Sequence, residues 1–437
     1  MTKKKTAKYL YGVMWRWHFY MGLFIAPILI IVSITGSLYV FKDEIEPYID
    51  SELLFVDSPV TAETIAHSQA VAAAEMAYPA YTARSLFIDR DPERTWNVRM
   101  ENAEEEYTTA YVNQYSGELQ GERAYNEGFF GVVLRIHRQL FADTLGRIIV
   151  ETSTAWGIIS VITGVFLWWP RAKDKIHGVW RMRLRKTRKI FWRDLHSVPA
   201  IYIAIFAVLI MFTGMLFSFT GQYTILGMGL ALGQLPEIYT NPPKSAVVEN
   251  ADTIGLDAAV ATFDEAYGIA HFNAVIPSTE DGTYSFTTNL DKNFSQARLF
   301  YVDQYSGEVL AQVGWADLTG FTKAILYFYP IHTGGIYGMP TKILAFLTCW
   351  IIALMSVSGV VMWWQRKPAG VILGAPHRPK NALVPRVVTV LTIIFGIILP
   401  TVGISLLVIL LGGLIGRLIQ RLRRPAVQLA SEVSAGD

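Results

Sequence analysis

The sequence predicts an α-helical membrane bundle. Four core spans form a parallel internal repeat, a C-terminal apolar segment follows them, and two small α+β domains lie on the outer side. Three observations carry this reading. Of 437 residues, 52% are hydrophobic and only 17% are charged, against about 25% charged in a typical soluble domain; mean hydropathy is +0.32. The apolar residues gather in long uncharged blocks, and a run of about 18 or more reads as a bilayer-spanning helix. Finally, the second half of the chain repeats the first.

The elements follow in order. Residues 1–42 make the first span around an apolar block at 17–41, entered through Lys3, Lys4 and Lys5. No small-residue cleavage site follows the block, so it reads as a retained span rather than a removed signal. Residues 43–135 form the first outer domain, and 136–170 the second span around block 148–169. Residues 171–195 form an inner loop: the stretch 170–195 holds ten Lys or Arg residues, and such an excess marks the cytoplasmic face. The third span (196–221), second outer domain (222–330) and fourth span (331–365) repeat the order, and 366–386 is again a basic cytoplasmic loop, with Arg366, Lys367, Arg378, Lys380 and Arg386. The N-terminus is therefore expected inside.

Residues 387–420 are a C-terminal membrane segment or a re-entrant hairpin, and 421–437 a tail. The apolar stretch 387–419 would be roughly 50 Å long as one helix, too long for an upright span. Pro400 breaks it, and basic residues on both flanks favour a hairpin with both ends inside. A single kinked, tilted helix is the alternative.

Each outer domain begins with a helical run, 62–77 or 256–267, followed by alternating strands near Ser85, Thr95, Tyr284 and Arg298. Both end in nearly one phrase, Tyr111-Val-Asn-Gln-Tyr-Ser-Gly-Glu and Tyr301-Val-Asp-Gln-Tyr-Ser-Gly-Glu, in which a strand runs into a turn. The duplication extends into the spans. Thr163-Gly-Val-Phe-Leu-Trp-Trp matches Ser358-Gly-Val-Val-Met-Trp-Trp at an offset of 195, and Thr35-Gly36 matches Thr213-Gly214 at 178. Both halves start on the same side, so the repeat axis runs along the membrane normal.

Four of the eight histidines obey these offsets. His18 maps onto His196 at 178, and His137 onto His332 at 195. An axis relating the halves lets equivalent imidazoles face each other, and two such rings suit the axial positions of one haem iron. The expectation is two bis-histidine b-type haems, an inner one on His18 and His196 and an outer one on His137 and His332. His67, His271, His177 and His377 lack this symmetry and read as solvated or structural. Arg16, Arg135, Arg138 and Arg193 flank the ligands; they are either partners of haem propionates or snorkelling interfacial arginines. Trp168, Trp169, Trp363 and Trp364 read as an aromatic belt. Glu151, about a turn inside the second span, is a candidate for proton delivery or a group that reaches water. Cys349, the single cysteine, can neither pair internally nor build a redox couple and reads as a small buried side chain.

Several phrases together resemble the PepSY-associated transmembrane family: Trp15 with His18 and Gly22, Arg-Ile-His137-Arg, Asp-Leu-His196-Ser, and Ile-His332-Thr-Gly-Gly-x-x-Gly. The outer domains are similar to PepSY domains. The resemblance spans roughly 10–370 and implies a bacterial inner-membrane protein akin to di-haem ferrisiderophore reductases. Such a protein passes electrons from the cytoplasmic side to ferric iron held by a siderophore or other chelate outside. No Gly-rich dinucleotide fingerprint occurs, so a separate donor is expected, either a cytosolic flavoprotein or a quinol. No nucleic-acid partner is indicated. Two alternatives stay open: haem-based transfer to another periplasmic acceptor, and a PepSY membrane transporter or sensor without redox chemistry.

Overall fold

The structure is a computed structural model. It describes residues 3–57, 63–124, 126–169, 178–288, 298–367, 401, 403–408, 411–412 and 414–415. The chain divides into two compact units, one of residues 1–34, 137–224 and 347–437, the other of 35–136 and 225–346.

The first unit is helical. It holds most of α1 (Lys3–Tyr39), α6 (Asp143–Trp168), α7 (Arg188–Leu216) and α12 (Met339–Trp364). Among the described residues, four helices are long and apolar enough to cross a membrane: Tyr11–Tyr39, Asp143–Trp168, Arg188–Leu216 and Met339–Trp364. Each has 26 or 29 residues, or about 40 Å of helix, enough for a hydrocarbon core of ~30 Å with some tilt. Buried Ile25, Ala155, Trp156, Ile203, Ala207, Met211 and Ile352 form its core. Ala155 and Ala207 are both fully buried, small residues of the kind that let membrane helices approach closely. Much of the remaining helix surface is apolar and exposed, including Phe24, Tyr202, Ile205 and Leu347, as lipid-facing positions require.

Part of the C-terminal stretch belongs here too. Residues 401 and 403–408 are helical, Leu406 packs on the core, and Trp156 Nε1 donates to Ser405 Oγ at 3.0 Å. Residues 387–400, where a hairpin would turn, lie outside the described residues.

The second unit corrects the expectation of two separate outer domains. The strands β1 (Tyr81–Asp89), β2 (Trp96–Asn102), β3 (Tyr107–Val112), β4 (Leu119–Ala124), β5 (His271–Val275), β6 (Thr283–Thr288), β7 (Arg298–Asp303) and β8 (Val309–Gly314) make one sheet. It is antiparallel throughout, in the order β4-β3-β2-β1-β5-β6-β7-β8. The halves join where β1 pairs with β5, from Ser85↔Val275 to Asp89↔His271. Joining them removes one open edge from each half, a row of backbone groups that would otherwise invite wrong pairing.

Helices α4 (His67–Ala77) and α10 (Gly255–Tyr267) pack with the inward rows Leu86, Ile88, Val98, Met100, Phe272, Phe286 and Phe300 in a single core. Phe263 lies at its centre, stacked on Phe286 at 4.8 Å and 4.7 Å from Phe272. The two repeated phrases are turns. Gly117 and Gly307 adopt φ of +75° and +73°, and Asn113 and Asp303 each accept two backbone N–H bonds within the turn. This unit also contains α2 (Lys42–Ile49), α3 (Ser51–Leu54), α9 (Glu237–Thr240), most of α5 (Gly128–Gln139) and of α8 (Phe219–Ala231), and α11 (Gly320–Thr333).

Candidate functional site

His18 on α1 and His196 on α7 come together as the repeat predicts. Their ring centroids are 6.0 Å apart and their planes lie at 83°. Each ring is tied by its Nδ1 to a neighbouring span. His18 Nδ1 lies 2.9 Å from the Ser160 carbonyl oxygen and 3.2 Å from Thr163 Oγ1. His196 Nδ1 lies 2.9 Å from the Met355 carbonyl oxygen and 3.2 Å from Ser358 Oγ. A carbonyl can only accept, so Nδ1 carries the proton in both rings and Nε2 keeps its lone pair. That is the tautomer a metal-ligating imidazole needs, held by the kind of partner such ligands use.

The spacing fits a metal between them. An imidazole nitrogen binds a transition metal at about 2 Å, so a linear nitrogen–metal–nitrogen axis places ring centres roughly 6 Å apart. Among the described residues no group of three or more His, Cys, Asp or Glu is placed to hold a bare ion. Two imidazoles with nothing equatorial suit a macrocycle that brings its own in-plane donors.

The surroundings fit as well. The rings line a cavity of about 460 Å³ together with Gly164, Gly359, Trp168 and Trp363, within the usual size of cofactor sites. Ser160 Oγ and Trp363 Nε1 are buried there without a hydrogen-bond partner among the described residues. A Cβ added to Gly164 would stand 3.2 Å from His18 Cε1, and one on Gly359 would stand 3.5 Å from His196 Cε1. The two glycines are therefore the seats of the two rings.

Trp168 and Trp363 are cavity walls rather than members of a belt. Trp168 donates from Nε1 to the Val179 carbonyl oxygen at 3.2 Å, whereas Trp169 and Trp364 are exposed. Of the arginines expected beside this pair, Arg193 lines the cavity and Arg16 does not. The Arg193 guanidinium is engaged by buried Asp194 at 2.7 Å and by the Gly178 carbonyl oxygen, and Arg183 binds Asp194 from the loop with both Nε and Nη2. This clasp holds residues 178–183 against α7, and Gly178 and Val179 close one wall of the cavity. Arg366 lines it as well; its place in a basic loop concealed that in the sequence.

His137 and His332 lie just before the long spans, near the ends of the separate helices α5 and α11. Between α5 and α6 the backbone turns through Leu140, Phe141 and Asp143, all at positive φ, an unusual cluster for non-glycine residues. Gly146 makes this close return possible, since a Cβ there would meet the Gln139 carbonyl oxygen at 1.6 Å. His137 Nδ1 lies 2.9 Å from the Val32 carbonyl oxygen, the arrangement also seen at His18. His332 is half-buried in the last turn of α11, in the other unit. Arg138 is exposed beside His137, and Arg135 is half-buried on α5.

Glu151 is buried, accepting from the Thr220 backbone N–H at 2.9 Å and from the Thr220 hydroxyl. It therefore caps the first turn of α8, where a carboxylate is favoured. His67 stacks on Trp96 at 4.8 Å and pairs with Asp257 at 3.3 Å, and His271 pairs with Asp89 at 2.8 Å. Both are structural. His177 and His377 lie outside the described residues. Cys349 is buried on α12.

Compared with known families, residues 15–366 match the one described as the PepSY-associated TM region. The comparison with curated proteins gave no match.

Proposed function

The chain belongs to the family of the PepSY-associated TM region and is a multi-pass membrane protein; from that premise we propose that it carries electrons across the bilayer on two b-type haems. In this reading His18 and His196 hold one haem, His137 and His332 the other. The protein sits in a bacterial inner membrane with its N-terminus in the cytoplasm. Its electrons reach ferric iron in a siderophore or similar chelate, drawn from a separate flavoprotein or quinol donor. The observation that carries the proposal is the inner pair: two imidazoles 6.0 Å apart, each with Nδ1 committed to a carbonyl of another span.

The haems, when bound, supply the one-electron chemistry; the chain supplies everything that tunes it. His18 and His196 would each offer a neutral Nε2 to the iron. Ser160 and Met355 raise the basicity of those rings through their carbonyls. Trp168, Trp363 and the apolar helix faces make the cavity lining mostly apolar, which lowers the local dielectric. Arg193 and Arg366 put positive charge on its wall, where carboxylate side groups of a porphyrin find charge-assisted partners. Reduction of Fe(III) to Fe(II) weakens its hold on hard anionic oxygen ligands, so the iron leaves an intact chelator.

A pyridine haemochrome count with an absorption spectrum of the purified protein tests this reading. The expected result is two haems per chain with reduced bis-histidine bands, reoxidised by a ferric siderophore. A colourless protein from haem-replete cells would overturn it, and reduced protein indifferent to ferric chelates would leave the haems but move the acceptor elsewhere.

A further inference from the structure

Resting on the reading of a haem between His18 and His196, we infer that Gly164 and Thr163, repeated as Gly359 and Ser358, are positioning residues that lock the two axial imidazoles in nearly perpendicular planes. The two rings lie at 83° to one another. The Nδ1 partners of each ring lie on another helix. His18 is oriented by α6 through the Ser160 carbonyl and Thr163 hydroxyl, and His196 by α12 through the Met355 carbonyl and Ser358 hydroxyl.

Each device therefore occurs twice, at sequence positions 195 apart. Rotation of either ring about its Cβ–Cγ bond would lengthen a 2.9 Å bond to a carbonyl. It would also swing Cε1 against the backbone seat that Gly164 or Gly359 leaves open. The hydroxyl oxygens are second acceptors for the two ring N–H groups. They are held in place by donating back to their own helices, Thr163 Oγ1 to the Ile159 or Ser160 oxygen at 2.8 or 3.1 Å and Ser358 Oγ to the Met355 oxygen at 3.1 Å. The repeat is not perfectly even. A Cβ at Gly164 would stand 3.2 Å from its ring and one at Gly359 3.5 Å. A methyl group at the first seat therefore makes the ring give by a few tenths of an ångström, while at the second it makes an ordinary contact.

The orientation has an electronic consequence. Imidazole π orbitals interact with the iron dπ pair, and parallel rings split that pair. Perpendicular rings leave it nearly degenerate. Low-spin ferric iron then gives an electron paramagnetic resonance spectrum dominated by one large-g feature instead of three well-separated g values. The plane angle is thus a property of this site that can be read without measuring turnover.

The experiment uses full-length protein carrying His137→Ala, which leaves the inner site as the one to be observed, with Gly164→Ala, Gly359→Ala and Thr163→Val added singly. The expected parent spectrum shows the large-g feature. Gly164→Ala moves it toward a resolved three-g pattern, Gly359→Ala leaves it in place, and Thr163→Val shifts or broadens it at unchanged haem content. Should Gly164→Ala fail to fold, Thr163→Val and the parent carry the test. A parent with one bis-histidine haem and a resolved three-g spectrum would overturn the inference while leaving the proposed function intact. So would spectra that Gly164→Ala and Thr163→Val do not alter. A parent without haem would remove the reading beneath it.

Discussion

Replacing His18 with alanine should remove one haem of two and leave the protein folded. The expectation follows from what that side chain touches. The ring makes one hydrogen bond to the Ser160 carbonyl at 2.9 Å and faces His196 at 6.0 Å. Losing it leaves a partly buried carbonyl oxygen short of one donor, at about 1–3 kcal/mol, but Thr163 Oγ1 stands 3.1 Å from the same oxygen and brings the cost toward the lower end. A penalty of this size is a fraction of a domain's usual stability of ~5–15 kcal/mol, so expression and membrane insertion should be near normal.

On the proposed reading, the haem between His18 and His196 loses half its axial ligation. Haem content per chain should fall from about two to about one, with the remaining spectrum still bis-histidine because His137 is untouched. His18→Gly supplemented with free imidazole should restore part of the loss, since the deleted ring leaves a cavity of its own shape. Retention of both haems in His18→Ala would refute the assigned pairing. Loss of both in a well-folded variant would show that the two sites are not built independently.

Other outcomes follow from the same geometry. Gly146→Ala should lower haem content to about one while sparing the inner pair, because its methyl group would collide with the Gln139 carbonyl oxygen and displace His137; an unchanged count would contradict this. Phe263→Ala should destabilise the sheet unit by about 3–5 kcal/mol, because the ring is fully buried among Phe272, Phe286 and Phe300. Hydrogen exchange across β5–β7 is the readout, and unchanged protection there would count against the packing described.

For Asp303, burial works to raise the pKa, but hydrogen bonds from the Ser306, Tyr305 and Ala246 backbone outweigh it and hold the carboxyl below its ordinary value. The stabilisation is therefore complete above the unfolded value of about 4 and is lost as pH falls through the lower folded value. Asp303→Asn should flatten the acid limb of the unfolding curve in that window; an acid limb that keeps its wild-type slope would count against Asp303 as its source.

How much was legible in the sequence varies with the range of the interaction concerned. Hydropathy blocks located the four spans, because lipid imposes apolarity on every outward residue of a crossing helix. The pairing of His18 with His196 was legible because duplication turns a spatial relation into an arithmetic one, 178 residues along the chain. Even the ring seats were present in the phrase Thr163-Gly164 and its echo Ser358-Gly359, yet nothing local said that a histidine from another span would rest on them. The same blindness hid Trp168 and Trp363 behind their outward neighbours, since a Trp pair at a helix end looks the same whichever ring turns inward. The break before α6 is hidden for a related reason, as Leu140 and Phe141 are not residues that announce positive φ, whereas the break before α12 runs through Gly334 and Gly338, at +78° and +67°.

Composition, charge bias and internal repetition thus determined the class of this protein, its number of core spans and which imidazoles correspond. These are properties of single residues, or of one half compared with the other, and need no knowledge of distance. The tertiary structure alone decided that β1 joins β5 in one continuous sheet, that carbonyls of α6 and α12 orient the rings of α1 and α7, and that a glycine stands behind each inner ring. Those are contacts between residues far apart in the chain, and their strength depends on separations of a few ångströms that exist only after the helices and strands have packed.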